Sequence, residues 1–162
     1  MKSVWVMNLI DNRKAVPQSQ KGNKKFDMCK SNNIIAIGWE WEKPGCGDRA
    51  YETAHRFMAE MQRGDLVWVR DRHRGDRYLC EVLDDTVTEY KSGNSKEETR
   101  LVGADIVEAR KCKYYPVQDK HKALLPGKSK LVARQTLQHM RDKAAIATTW
   151  KLFNQLATEE TI

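Results

Sequence analysis

Ile34-Ile35-Ala36-Ile37-Gly38-Trp39 and Gly64-Asp65-Leu66-Val67-Trp68-Val69 are the two stretches that decide how this chain folds. Each holds a four-residue apolar run, too short for a helix and suited to a strand buried on both faces. Between them Asp48 can cap a helix that runs to about Gln62, because Ala54, Phe57, Met58 and Met61 fall at i, i+3, i+4 and i+7. Arg63-Gly64-Asp65 closes that helix, with Gly64 placed to take the left-handed conformation. Working outward, Val4-Trp5-Val6-Met7 is another doubly buried strand, ended by Asn8. Tyr78 to Leu83 is a fourth, and the Arg- and Gly-rich turn Asp71 to Asp76 makes it a hairpin with its predecessor.

The rest is less regular. Asp11 to Lys25 and Lys91 to Glu98 read as polar loops, and Phe26 to Ser31 as a short helix. Leu101 to Tyr115 reads as extended, with Val102, Ile106, Val107 and Tyr114 turned inward. Lys120 to Lys130 is a basic loop, and the tail is a helix on which Ile146, Trp150, Phe153 and Ala157 recur. This order predicts an α+β fold, a curved mixed sheet with helices packed on it, in one domain over residues 1–162.

No apolar run approaches the roughly 20 residues that span a bilayer. The start, Met1-Lys2-Ser3-Val4-Trp5, lacks a secretory pattern, so the expected compartment is cytoplasmic, with no membrane partner. Cys29, Cys46, Cys80 and Cys112 stand far apart with no CxxC pair, which points to reduced thiols and not to a zinc site. The net charge of +7 is segregated. Arg110 to Lys143 carries a local +8 and Asn12 to Lys30 a local +5, which leaves −6 elsewhere. A phosphate-binding face needs such segregation, because neutralised phosphates release counterions. A solvated surface that keeps the protein soluble would also show it.

Catalytic patterns are missing. The chain has no GxSxG, GxxxxGK[ST], HExxH or GxGxxG, and His55, His73, His121 and His139 are scattered. A metal-dependent nuclease strand would need Lys two residues after Glu81, where Leu83 stands. Asp84-Asp85 reads as a solvated turn. No enzyme and no cofactor are expected. Among the five tryptophans, Trp5, Trp68 and Trp150 sit in apolar elements and read as core. Trp39 and Trp41 follow a glycine in a loop ending Pro44-Gly45. They can stack on a base, at about 1–3 kcal/mol each, or one can fold back as a lid on the core.

The succession of Ile34–Trp39, the helix with Phe57-Met58-Ala59-Glu60-Met61, Gly64–Val69 and Tyr78-Leu79-Cys80-Glu81-Val82 resembles the PUA-like superfamily. Its EVE and YTH domains and the N-terminal recognition domains of McrBC-type restriction systems are the most similar. The resemblance covers residues 3–110, with residues 111–162 supplying a basic loop and a C-terminal helix. It implies a PUA-like open barrel whose pocket receives an everted base between aromatic walls. By position it implies Trp39 as one wall and Asn8 as the reader of the base edge. Tyr90 is near the usual place of the second wall, and Trp41 is the substitute.

The expected function is therefore reading a flipped base in DNA or RNA, including a methylated or otherwise modified one. Phosphates would be held by Lys21, Lys24 and Lys25, by Arg70, Arg72 and Arg74, and by Lys128 and Lys130. Two rivals remain. One is a sequence-tolerant binder whose aromatics only stack. The other is a phage- or defence-related inhibitor or adaptor that uses the tryptophan loop as a protein interface.

Overall fold

Val4–Met7 and Leu66–Val69 are apolar at every position because the sheet they build is covered on both faces. The computed structural model describes residues 2–11, 24–40, 44–133 and 135–160. In chain order the elements are β1 (Val4–Met7), α1 (Lys24–Ser31), β2 (Ile34–Ile37), α2 (Arg49–Glu60), β3 (Leu66–Arg70) and β4 (Arg77–Val82). Then come β5 (Thr88–Glu89), α3 (Lys96–Val102), β6 (Glu108–Val117), β7 (Leu137–His139) and α4 (Lys143–Glu160). The strands described form one sheet in the order β2-β6-β4-β3-β1-β7, with β5 paired to β6. β1 and β3 are parallel and every other pair is antiparallel. The architecture is mixed α+β, a strongly curled half-barrel with helices packed on it.

The period-two alternation of strand side chains divides the interior. Val4, Val6, Leu66, Trp68 and Leu79 face α4, whose Ala145, Thr149, Leu152 and Leu156 are buried. Trp5, Met7, Val67 and Val69 face the other way, toward α1 and α2 with Phe26, Ala54 and Met58. Trp68 donates its indole N–H to Thr149 Oγ1 at 3.0 Å. That bond turns the innermost line of α4 one residue from the Ile146–Trp150–Phe153–Ala157 stripe, which lies half-buried beside it.

Asp48 caps α2 by accepting from Tyr51 N at 3.1 Å, and Gly64 has φ 90°, both as the residue pattern predicts. Two departures have visible causes. Ser95 accepts from Glu98 N at 3.0 Å and starts a helix where a loop was expected. Leu101 and Val102 consequently end α3, and the extended segment begins only at Glu108. The predicted basic loop holds a 3-10 helix at Asp119–Leu124, pinned by His121, which is buried and 2.9 Å from Glu159 Oε2.

Two buried charges organise the middle of the sheet. Asp65 accepts from Ser3 N, Trp5 Nε1 and Gln62 N at 2.9, 3.1 and 3.0 Å, and so joins β1 and the end of α2 to the start of β3. Arg110 on β6 is fully buried and donates to Met58 O and Met61 O, both at 2.7 Å. Two further N–H groups, on Nε and on the other terminal nitrogen, reach Asp84 Oδ1 at 2.7 Å and Asp84 O at 2.9 Å.

Arg110→Leu strands the Asp84 carboxylate and two helix-end carbonyls, a loss of about 3–5 kcal/mol. Thermal denaturation should show Tm lower by about 10 °C for a chain of this length. Arg63→Ala, which removes only an exposed pair with Asp85, should stay within about 1 kcal/mol of the parent.

Candidate functional site

β2 ends at Ile37, and the next two residues make a sharp exit. A Cβ on Gly38 would fall on the Asp105 carboxylate, so glycine is required there by close approach. Asp105 Oδ1 accepts from Trp39 N at 3.3 Å. Trp39 has φ 63°, a left-handed conformation that a bulky residue adopts only when its surroundings impose it. Here the imposed geometry swings the indole out of the strand line and over Tyr51 of α2, with ring centroids 5.9 Å apart at 72°.

Trp39, Tyr51 and Tyr90 line a cavity of about 450 Å³, together with Pro44, Val107 and Glu108. Trp39 also packs on the core, as expected of a tryptophan folded back as a lid, while it lines the cavity. Tyr90 is held at the far side by its backbone N–H on Val107 O, at 2.8 Å. At the floor, Glu108 is 4% exposed. Its Oε2 accepts from the Tyr51 hydroxyl at 3.3 Å, and its Oε1 lies 2.7 Å from His55 Nδ1. Burial first, and the Glu108 charge second, raise the Tyr51 phenol above its ordinary pKa, so it stays a donor. Burial and then Glu98 raise Tyr90 in the same direction. Glu40 and Glu89 also line the cavity, against Lys91 as the one cation there among the described residues.

No family model matches the chain, and neither does any curated protein or solved structure.

Of the residues expected at the base, the structure brings together Trp39 and Tyr90 and separates Asn8 from them. Asn8 follows β1, three strands away from β6 in the sheet order, and its amide donates to Ala133 O at 3.1 Å and Gln135 O at 3.3 Å. The segment ahead of β7 consumes the donor that was to read a base edge. Trp41 and Lys21 lie outside the described residues. Asn8 instead borders a second, smaller concavity of about 100 Å³ that Arg70, Arg72 and Arg77 also line. Arg70 and Arg77 are direct cross-strand partners, and none of the three arginines pairs with a carboxylate among the described residues. Burial first, and Arg70 second, lower the Arg77 pKa from its usual value.

The remaining phosphate candidates divide. Lys24 and Lys128 are exposed. Lys130 is exposed too, but is 3.1 Å from Asp142. Arg74 is engaged by Asp27 at 2.9 Å and Asp71 at 2.8 Å. Lys25 is inside the protein, 3.3 Å from Asp105 Oδ2 and 3.1 Å from Ile10 O. It is a structural cation and not a phosphate ligand. Three site residues escaped the sequence reading. Tyr51 extends the buried stripe of α2 one turn back from Ala54, a visible signal. Arg77 faces Arg70 once the hairpin register is drawn. Nothing local marks Glu108.

Lys25→Ala leaves the Asp105 carboxylate without that partner and should lower Tm by about 10 °C, the scale of breaking a buried pair. Lys24→Ala, one residue away and exposed, should change stability by less than about 0.5 kcal/mol. Equal melting curves for the two variants would mean that Lys25 is a surface residue.

Proposed function

We propose that this protein is a PUA-like nucleic-acid-binding module that takes a flipped base, modified or not, into the Trp39–Tyr51–Tyr90 cavity. The observation that carries the reading is the meeting of Trp39 and Tyr90, from distant parts of the sequence, across a cavity of about 450 Å³. Concave sites of a few hundred Å³ walled by aromatics and floored by one or two polar groups suit a flat heterocycle. Extruding a base costs a few kcal/mol, and stacking returns about 1–3 kcal/mol per base. The curled mixed sheet and the Gly38-Trp39 exit from β2 support the PUA-like part of the proposal.

Phosphate contacts belong to the other concavity. Like charges directly opposite one another on paired strands are destabilising, and Arg70 and Arg77 are such a pair. A bound phosphate relieves that repulsion. The two concavities lie toward opposite ends of β6, because Ile37 and Glu89 pair with Glu108 while Arg77 pairs with Val117. Nine residues of strand make this about 30 Å at roughly 3.3 Å per residue. A single strand lying along the sheet would meet arginines at one end and the aromatic cavity at the other.

Fluorescence anisotropy with a labelled single-stranded oligonucleotide, titrated at several salt concentrations, tests the reading. Trp39→Ala or Tyr90→Ala should weaken binding about tenfold or more with the salt slope unchanged. Arg70→Gln with Arg77→Gln should flatten the slope by about 2 and weaken all sequences alike. If the parent protein binds neither DNA nor RNA strands at low salt, the function is something else.

A further inference from the structure

Three carboxylates and one lysine line the aromatic cavity among the described residues. Glu108 stands on β6 between Ile37 of β2 and Glu89 of β5, so two carboxylates are direct cross-strand partners on the cavity wall. Glu40 adds a third, which accepts from Ser92 Oγ at 3.2 Å. Like-charged partners of this kind are unfavourable until something that donates protons or carries positive charge comes between them. A carboxylate has about four acceptor positions and no donor. Tyr51 and His55 occupy one position on each oxygen of Glu108, which leaves one on each for a ligand.

We propose that the base taken by this cavity is guanine, held through its Watson–Crick edge by Glu108. The inference rests on the base-reading function proposed above. Guanine alone among the common bases presents two adjacent donors, N1–H and the N2 amino group, at the spacing of two carboxylate oxygens. Adenine sets the N1 acceptor beside its amino group, and cytosine sets N3 beside its own. Uracil and thymine hold one N–H between two carbonyls. Each of these would aim a lone pair at a buried carboxylate, which in a dry cavity forfeits the hydrogen bond and adds repulsion. The flat faces of Trp39 and Tyr90 are indifferent to this choice, since every base has a π-face. The carboxylate makes it.

The test uses the unmodified protein and a thymidine decamer that carries one variable base at its centre, read by anisotropy. A central guanine should bind about tenfold or more tightly than adenine or cytosine. Hypoxanthine, which lacks the N2 amino group, and 1-methylguanine, which lacks N1–H, should each lose most of that advantage. These two analogues probe the edge without altering the fold. Glu108→Gln, which replaces one acceptor with a donor, should narrow the ratio of guanine to adenine toward one while melting close to the parent. Equal binding of guanine and 1-methylguanine overturns the guanine assignment and leaves a base reader of another choice. Equal binding of all strands overturns it in favour of unselective stacking. No binding of any strand at low salt sinks the nucleic-acid reading itself. Tighter binding of tetramethylammonium than of guanosine would overturn guanine in favour of a methylated-ammonium ligand.

Discussion

The Arg110 guanidinium, fully buried, donates four hydrogen bonds that tie two separate parts of the chain to one strand. Two go to the carbonyls at the end of α2, where the helix dipole places partial negative charge. Two go to Asp84, whose second oxygen accepts from Lys111 N at 2.8 Å. Helix α2 and the turn after β4 are thereby locked to β6. The cavity depends on that lock, because Tyr51 comes from α2 and Glu108 from β6, two residues before Arg110. A buried charge with four of its five donors used is costly to assemble and more costly to disturb. It specifies one arrangement of helix and strand where apolar contacts alone would permit sliding.

Asp105 does the corresponding work for the loop that carries Trp39. It is buried, has φ 64°, and meets both Lys25 from α1 and the Trp39 backbone. A left-handed tryptophan costs on the order of 1–2 kcal/mol relative to an ordinary conformation. The packed glycine and the Asp105 hydrogen bond hold it there. Residues held in such strained conformations by their surroundings cluster at ligand and active sites.

Continuous apolar runs were the most legible signal, because a strand covered on both faces has no polar side to confuse with a loop. The capped helix α2 was equally plain at Asp48 and Gly64. Helix α3 was also written in the chain, as Ser95 with Glu98 three residues on, but its polar surroundings resemble a loop. Trp39 and Tyr90, which the PUA-like resemblance pointed to by position, do line one cavity. Asn8 was misplaced because its partners, Ala133 and Gln135, are remote in sequence and only the return of β7 brings them close. Lys25 was misread for a similar reason, since a lysine in a basic stretch looks solvated until Asp105 is folded against it. Glu108 shows the limit most sharply. Its burial, its tyrosine and histidine partners and its carboxylate neighbour all depend on strand register, which no local pattern records.

The same sheet carries two like-charged cross-strand pairs, Arg70 with Arg77 and Glu89 with Glu108, toward opposite ends of β6. Either pair would be more stable with one member replaced by a partner of opposite sign. Local choices that oppose stability collect at sites where a ligand completes the arrangement. One pair borders a small basic concavity, and the other an aromatic one with a carboxylate floor. A ligand that satisfies both must be anionic along its length and rich in donors at one flat end. A nucleic-acid strand has phosphates all along and bases that can be turned out singly. On the proposed reading the two concavities divide the labour. Charge at the arginines would set how tightly such a strand is held and how steeply that depends on salt. Hydrogen bonding at Glu108 would set which base is accepted, in a place where salt has little reach.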